Sequence, residues 1–376
     1  MKLHHWSILT LAFFIGSVFG TIAQNVNTIT TAVPFLRVAP DAQSGSMGFT
    51  GIATEPDVDA TYWNAAKLVF SSQVSSLGVS YRPSVGSGYS THLFYLNQYY
   101  KLRPRHTLGG SFRFFLVQGG LARELAADLG YSVLVTKGFS MGIALRYIYS
   151  RLGLGSGTPG VDYNQGQALA GDLSLFYTKP LSIKEHSANI SWGLVISNVG
   201  SKISYSSVGG DFIPANLGTG AAFKFSVHPM HALSVALDLN KLLVPTNPSY
   251  LVDSNGSFVL DSHGKFIIDR GMDPNVSVIR GLYQSFYDAP GGFREEMSEI
   301  SLSAGLEYCY AEKVALRMGY YYVPPTKGNQ KSLTFGAGWK SDFLKIDFSF
   351  VVPATKVSTS VSTFYGTLHY MFDAKK

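Results

Sequence analysis

The stretch that decides the architecture of this chain is TAVPFLRVAPDAQSGSMGFTGIATEPDVDATYWNAAKLVF, residues 31–70. Its apolar residues keep neither a helical nor a strand period, and three prolines with three glycines exclude one long regular element. Its large apolar side chains still require burial. We therefore expect a compact N-terminal plug, residues 24–73, folded into one end of whatever the later strands enclose. Its characteristic residues are Phe35, Pro40, Met47, Trp63 and Asn64.

The first 23 residues have the organisation of a secretory signal peptide. Lys2 precedes an apolar run from Ile8 to Phe19, and Thr21-Ile22-Ala23 forms a cleavage site. The run is too short for a transmembrane helix. Cys309 is the only cysteine, so no intramolecular disulfide can form. The spacing predicts that Cys309 fills space on the small-residue face of a strand.

The composition favours a protein whose exterior contacts lipid. Apolar residues make up 46% of the chain and charged residues only 14%, against about 25% in an average soluble domain. No later run is long and apolar enough for a transmembrane helix, which leaves a closed barrel as the way to span a bilayer. Removal of Lys2 with the signal peptide leaves a net charge of +5, which suits contact with anionic lipopolysaccharide or a mildly acidic partner. There is no basic run or recognition motif for nucleic acid, so we expect no nucleic-acid partner.

Fourteen segments between Val74 and Phe372 alternate large apolar with small or polar residues, among them His106–Val117, Phe139–Leu152 and His231–Leu242. In Ser298–Tyr310, one face carries Ile300, Leu302, Ala304, Leu306, Tyr308 and Tyr310, and the other carries Ser301, Ser303, Gly305, Glu307 and Cys309. Successive side chains of a strand point to opposite faces. We therefore predict an all-β fold, a fourteen-stranded antiparallel transmembrane β-barrel over residues 74–376.

A soluble sandwich would show the same alternation with the opposite face in water. Tyrosines at the predicted strand ends, such as Tyr99 with Tyr100, favour the bilayer because aromatic girdles mark membrane interfaces. The last segment ends on Phe372, similar to the signal that the barrel-assembly machinery reads. Short and long connections also alternate along the chain, as in outer-membrane barrels with short periplasmic turns and long extracellular loops.

The connection Leu243–Met297 is too long for a structureless loop, which predicts a functional or separately folded segment. Asp253-Ser254-Asn255-Gly256 and Asp261-Ser262-His263-Gly264 recur at a spacing of eight. Asp-x-x-Gly suits tight turns, so the pair indicates strand extension above the membrane. A calcium loop is the alternative, although the Asp-x-Asp-x-Asp-Gly ligand spacing is absent. We expect no metal site and no cofactor.

The later part of the same connection is rich in aromatic residues, and we expect it to be flexible. Its exposed-aromatic candidates are Tyr283, Phe286, Tyr287 and Phe293. Rigid rings bury a large area at small entropic cost, so these residues predict a protein-binding tip. A lid that only covers the barrel mouth would look the same.

The sequence contains little that predicts catalysis. The histidines are scattered, no Gly-x-Ser-x-Gly elbow occurs, and no pair of acids is placed for acid–base work. Gly153–Gly160 (GLGSGTPG) lacks the Gly-Lys-Ser/Thr of a phosphate loop and predicts an extracellular turn. We therefore expect a protein that is not an enzyme.

The N-terminal stretch resembles the PorV family of the type IX secretion system, within the wider FadL-like barrels. The resemblance is carried by the following motifs: Val33-Pro34-Phe35-Leu36, Ala39-Pro40-Asp41-Ala42, Ser46-Met47-Gly48, Ile52-Ala53-Thr54 and Tyr62-Trp63-Asn64-Ala65-Ala66-Lys67-Leu68. The family pattern is roughly W-N-P-A-K-L, so Ala65 stands where a proline is expected.

The resemblance implies an outer-membrane shuttle of the type IX secretion system. Such a protein receives cargo from the large secretion channel subunit, binds the C-terminal signal domain of that cargo and delivers it to a surface sortase. The extracellular loops, above all residues 243–297, would make these contacts. The wider resemblance allows an alternative, a transporter of fatty acids or other hydrophobic molecules, which needs an apolar pocket beside the plug and a strand kinked to open sideways. A lipid A deacylase is a third hypothesis, without a recognisable His/Ser constellation.

Overall fold

The computed structural model describes residues 26–85, 90–152, 165–206, 209–355 and 362–372. Two predictions lie outside these residues: the signal peptide and the turn at 153–160.

Fourteen strands form one closed antiparallel barrel, in which β1 also pairs with β16. The described residues contain sixteen strands in all, namely β1 (Ser75–Val85), β2 (Ser90–Arg103), β3 (His106–Val117), β4 (Ala122–Thr136), β5 (Phe139–Leu152), β6 (Gly166–Ile183), β7 (His186–Gly200), β8 (Asn216–His228), β9 (His231–Leu242), β10 (Ser249–Tyr250), β11 (Ile268–Arg270), β12 (Ile300–Tyr310), β13 (Val314–Tyr322), β14 (Lys331–Lys340), β15 (Leu344–Pro353) and β16 (Thr363–Phe372). β10 and β11 pair with each other outside the barrel. The predicted fold is confirmed, and β3, β5 and β9 have the predicted bounds.

The described residues contain four short α-helices, none of which is part of the barrel wall. They are α1 (Ala42–Ser46), α2 (Ala60–Trp63), α3 (Val278–Gln284) and α4 (Phe293–Met297). 3-10 turns occur at Pro34–Arg37, Ala65–Phe70, Gln118–Gly120 and Pro325–Lys327. No helix in the described part of the chain is long and apolar enough to cross a bilayer.

The exposure of neighbouring side chains decides which face of the wall is apolar. On β5, Leu145 is 66% exposed and Arg146 only 3%. On β15, Phe348 is 62% exposed and Asp347 is fully buried. A soluble sandwich would bury the leucine and expose the arginine. The outer face is therefore the lipid-contacting face, as predicted for Ser298–Tyr310.

Connections alternate between short and long around the barrel. β4 and β5 are joined by Lys137 and Gly138, whereas β9 and β12 are separated by residues 243–299. Because outer-membrane barrels carry their long loops outside the cell, we call the end with the long connections the outer end and the other the inner end.

Residues 31–70, here called the lumen segment, run through the barrel from one end to the other. At the outer end the backbone N–H of Ala32 donates to the carbonyl of Phe212, 2.9 Å away. Near the inner end, Ser140 Oγ donates to the carbonyl of Ala66 at 2.6 Å. The expectation of a segment confined to one end was therefore wrong. An irregular backbone has polar groups along its whole length, and the polar inner face of the wall satisfies them at every depth.

The β9–β12 connection is folded, as predicted, but not as an extension of barrel strands. The Asp-x-x-Gly turns form: Asp253 Oδ1 accepts hydrogen bonds from the backbone N–H groups of Asn255 and Ser257 at 2.8 and 2.9 Å. They connect short segments that are paired by two isolated bridges, Val252 with Phe258 and Leu260 with Phe266. β10 and β11 form a separate two-stranded sheet in the same connection. The rest of the connection contains α3 and α4.

Candidate functional site: the filled lumen and the outer surface

Side chains from opposite sides of the barrel hold the lumen segment. Asp238 Oδ2 on β9 accepts hydrogen bonds from the N–H groups of Gly51 and Ile52, at 2.7 and 3.0 Å. Across the lumen, Thr367 Oγ1 on β16 accepts from the N–H of Ala42 at 2.9 Å. All of these groups are buried, so each bond replaces one that water would otherwise make. The segment is therefore fastened on several sides.

The five residues chosen for the plug all point into this packed interior. Phe35, Pro40, Met47 and Asn64 are buried and Trp63 is half-buried. Trp63 Nε1 donates to Asp41 Oδ2 at 2.7 Å. Asn64 Nδ2 donates to the carbonyls of Ile52 and Leu175, both at 3.0 Å, and so joins the lumen segment to β6.

The small residues on the inner face of β14 serve this packing. Thr334 Oγ1 accepts from the N–H of Gly48 and donates to the carbonyl of Ser46, both at 2.8 Å. Gly48 has φ +65°, and a Cβ there would lie 2.5 Å from the carbonyl oxygen of Ala304. This position thus requires glycine both for its backbone conformation and for its close approach to β12.

The inner wall contains buried ion pairs that the sequence reasoning did not identify. Arg113 NH2 lies 3.2 Å from Asp128 Oδ2, and Arg146 pairs with both Asp128 and Asp172, the latter at 3.0 Å. On the other side, Arg317 pairs with Glu307 and Asp347 at 2.5 and 2.6 Å. The available signal was charged residues on the small-residue face of strands. Buried charges persist when paired and hydrogen-bonded in this way.

One group in the lumen has the composition of a metal site. Ligand atoms of Asp57, Asp59 and His369 lie within 4.8 Å of one another. However, Asp59 Oδ1 accepts from Asn97 Nδ2 at 2.7 Å, and the ammonium of Lys345 lies 3.3 Å from Asp57. A bound ammonium already supplies the positive charge that a cation would bring. The group is therefore better described as an ion-pair network.

A cavity beside the lumen segment has a volume of about 30 Å³, enough for about two waters. Its lining includes the polar residues Glu55, Asn189, Lys224 and Glu307. Lys224 and Glu55 form an ion pair of 2.5 Å. This cavity is too small to hold a fatty acid.

At the outer end, the β9–β12 connection is bound to the barrel by buried charges. Lys241 at the end of β9 contacts Glu296 at 3.0 Å and Glu299 at 2.5 Å. Lys327, from the β13–β14 connection, contacts Glu295 at 2.6 Å and Glu299 at 2.9 Å. Burial raises the pKa of the Glu295 carboxyl, whereas the hydrogen bond from Lys327 lowers it. The net effect is a lowered pKa.

The beginning of the described chain joins this arrangement. Asn27 Nδ2 donates to Glu295 Oε1 and to the carbonyl of Asn247, both at 3.0 Å. The N–H of Asn27 donates to the carbonyl of Thr326 at 2.9 Å. Three separate parts of the sequence thus meet in one polar junction at the outer end.

The four predicted contact aromatics lie on this bound platform. Tyr283 lies in the last turn of α3, and Phe286 and Tyr287 follow that helix. Phe293 is the first residue of α4. Their exposed fractions are 70%, 48%, 63% and 76%, respectively. They therefore lie on or directly after two short helices, of which α4 is held by the Lys241 and Lys327 ion pairs, rather than on an irregular tip. Rings presented on a fixed support lose less entropy when a partner binds.

Fourteen strands in a closed antiparallel sheet, an apolar outer face and a charged, filled lumen define an outer-membrane β-barrel. The model of the family described as type IX secretion system protein PorV matches residues 21–249, which is more than half of the chain. The chain belongs to this family and is an outer-membrane component of the type IX secretion system.

Solved structures of hydrocarbon channels are among those to which this chain is similar. The toluene transporter TbuX of Ralstonia pickettii is 15% identical over 89% of this chain and 98% of its own, with a TM-score of 0.49. The CymD monoaromatic hydrocarbon channel is 15% identical over 90% and 98%, with a TM-score of 0.48. A Pseudomonas aeruginosa FadL homologue is 10% identical over 92% and 100%, with a TM-score of 0.46. A comparison with curated protein sequences finds no significant match.

Proposed function

We propose that this protein is a non-enzymatic shuttle, which binds the C-terminal signal domain of secreted cargo at the secretion channel and delivers it to the surface sortase. The observation that carries the proposal is the set of exposed aromatics, Tyr283, Phe286, Tyr287 and Phe293, on a platform fixed at the outer end. Clusters of exposed rings are typical of protein-binding surfaces.

The lumen segment fits the same role. We propose that residues 24–73 act as a plug that closes the barrel, so that partners are bound outside the lumen. Bonds such as those from Gly51 to Asp238 and from Ala42 to Thr367 fasten the segment on opposite walls. A barrel closed in this way lets a large cargo be handled at the surface without a leak across the membrane.

The alternative, transport of fatty acids or other hydrophobic molecules, is compatible with a FadL-like fold. The lining of the lumen does not favour it, because Arg113, Arg146, Arg317 and their acidic partners line the interior. Uptake of a labelled long-chain fatty acid by cells in which this barrel is the route of entry would support that hypothesis.

The shuttle proposal is tested by purifying a tagged chain from the native outer membrane in mild detergent and measuring the retained proteins by mass spectrometry. We expect the large channel subunit, a sortase and cargo with a C-terminal signal. Replacing Tyr283, Phe286, Tyr287 and Phe293 with alanine should abolish cargo recovery. The matched control is Phe343→Ala, an equally exposed aromatic near the inner end. Unchanged cargo recovery and secretion in the fourfold variant would refute the assignment.

A further inference from the structure

Residues 250–273 contain three copies of an eight-residue repeat. They are YLVDSNGS (250–257), FVLDSHGK (258–265) and FIIDRGMD (266–273), each an aromatic residue followed by two apolar residues and an aspartate. The two Asp-x-x-Gly turns noted in the sequence belong to the first two copies. We call residues 250–273 the triple repeat.

The three copies close on each other around a pseudo-threefold centre. The N–H of Leu251 donates to the carbonyl of Ile267 at 2.8 Å, that of Val259 to Leu251 at 2.9 Å, and that of Ile267 to Val259 at 3.0 Å. Each copy thus donates one bond and accepts one. The first two turns are also alike, because Asp261 Oδ1 accepts from His263 and Lys265 as Asp253 does from Asn255 and Ser257.

The first residue of each copy contributes one ring to an aromatic triad. The ring centroids of Tyr250 and Phe258 lie 6.1 Å apart, those of Tyr250 and Phe266 5.5 Å, and those of Phe258 and Phe266 5.3 Å. Phe258 is nevertheless 58% exposed and Phe266 54%. Neighbouring Val252 and Leu260 are both 51% exposed. The repeat therefore holds its rings together without burying them.

The triple repeat is acidic although the chain as a whole is basic. It contains four aspartates against one lysine and one arginine, a formal charge of −2: Asp253, Asp261, Asp269, Asp273, Lys265 and Arg270. The complete chain has a charge of +6. An apolar centre with an acidic border is complementary to an apolar patch bordered by lysine and arginine. Lipopolysaccharide, which is anionic, would be repelled by the same border.

We propose that the aromatic triad Tyr250, Phe258 and Phe266 is a second docking surface at the outer end, and that it binds a protein partner through an apolar patch with a basic rim. The inference rests on the proposed partner-binding role of the outer connections and adds the position and chemistry of a further contact. It is separate from the α3–α4 aromatics, since the triad lies in a different folded unit of the connection.

The experiment places a photo-crosslinking phenylalanine analogue at position 266 of the full-length protein in its native cells. We expect one protein adduct of discrete mass, whose crosslinked peptide maps to an apolar segment flanked by lysine or arginine. Adding Phe258→Ala should reduce the adduct about tenfold, as for a hot-spot ring. The matched control Ile279→Ala, an exposed residue of α3 outside the triad, should leave it unchanged. Heat-modifiable gel mobility verifies that each barrel is folded.

A second measurement tests the charge argument. In isolated outer membranes, raising the salt concentration from about 0.1 M to 1 M shortens the screening length about threefold, so the adduct should decrease. Adducts to lipopolysaccharide alone, the absence of a protein adduct, or an adduct insensitive to Phe258→Ala would each overturn the inference. Failure of the shuttle proposal is read separately, from cargo recovery in the fourfold α3–α4 variant. A triad-dependent adduct to a protein other than cargo would support this inference alone.

Discussion

The carboxylate of Asp238 on β9 accepts a hydrogen bond of 2.7 Å from the backbone N–H of Gly51 in the middle of the lumen segment. The two residues are 187 positions apart in the chain and both are buried. In a sheet, the carbonyl of a neighbouring strand would accept the hydrogen bond from this backbone N–H. Here a carboxylate on the inner wall accepts it instead. The lumen segment is stable in an irregular conformation because the wall supplies its hydrogen-bond partners.

Asp238→Ala should loosen the lumen segment. The change leaves the N–H groups of Gly51 and Ile52 buried without an acceptor, at a cost of about 2 to 4 kcal/mol in the free energy of unfolding. Urea unfolding in detergent, followed by tryptophan fluorescence, measures this. Asp238→Asn is the control, because its amide oxygen can still accept both bonds and the loss should be smaller. Equal midpoints for Asp238→Ala and the unmodified protein would contradict the prediction.

Gly48→Ala should destabilise the same segment for a steric reason. The new Cβ would lie 2.5 Å from the carbonyl oxygen of Ala304, at a φ of +65°. Overpacking and the left-handed conformation together should cost about 2 to 4 kcal/mol. Gly366→Ala provides the contrast, since a Cβ there meets nothing within 4 Å. The temperature at which the barrel loses the gel mobility of its folded form should fall for Gly48→Ala only. Similar decreases for both variants would contradict the steric explanation.

The path of the lumen segment predicts that residues near position 26 are reached from outside the cell. Val26 is 68% exposed and neighbouring Asn27 binds the outer connections. A cysteine at Val26, in a Cys309→Ser background, should react with a membrane-impermeant maleimide in intact cells. A cysteine at Ser72, exposed near the inner end, should react only after the outer membrane is permeabilised. Labelling of the cysteine at Val26 only after permeabilisation would contradict this path.

The β9–β12 connection should respond to pH through Asp288. Burial raises the pKa of Asp288 to about 6, with Glu296 and Glu299 adding to the effect. Its Oδ1 is buried without a hydrogen-bond partner among the described residues. Because the folded state holds the proton more tightly than the unfolded chain, the stability contributed by protonated Asp288 is lost as pH rises through about 6.

Asp288→Asn keeps the side chain neutral at every pH and retains an oxygen for the N–H of Thr246, which lies 3.1 Å from Asp288 Oδ2. At pH 8 the connection should therefore be cleaved more slowly by added protease in the variant than in the unmodified protein. The difference should shrink as pH falls below 6. A variant that is cleaved faster at pH 8 would show that the charge of Asp288 stabilises the connection.

The strands could be predicted from the sequence because side-chain alternation depends only on residues that are close together in the chain. The segments His106–Val117, Phe139–Leu152 and His231–Leu242 fold as predicted, and the aspartates of the two Asp-x-x-Gly turns form the expected local bonds. Each of these features depends on residues close together in the chain. The exposure of Tyr283 and Phe293 was predictable for the same reason, since aromatic residues in a long connection have no neighbouring strand to cover them.

The alternation, the strand count and the local turns were thus determined by the sequence itself. Only the tertiary structure decided which face contacts lipid, how the lumen segment runs from end to end, and which charges pair. Arg146 lies directly opposite Asp128 because of the register between β4 and β5, and the third copy of the triple repeat is recognisable through its bond to Leu251. Such contacts depend on how separate segments pair, which side-chain alternation within one segment does not specify.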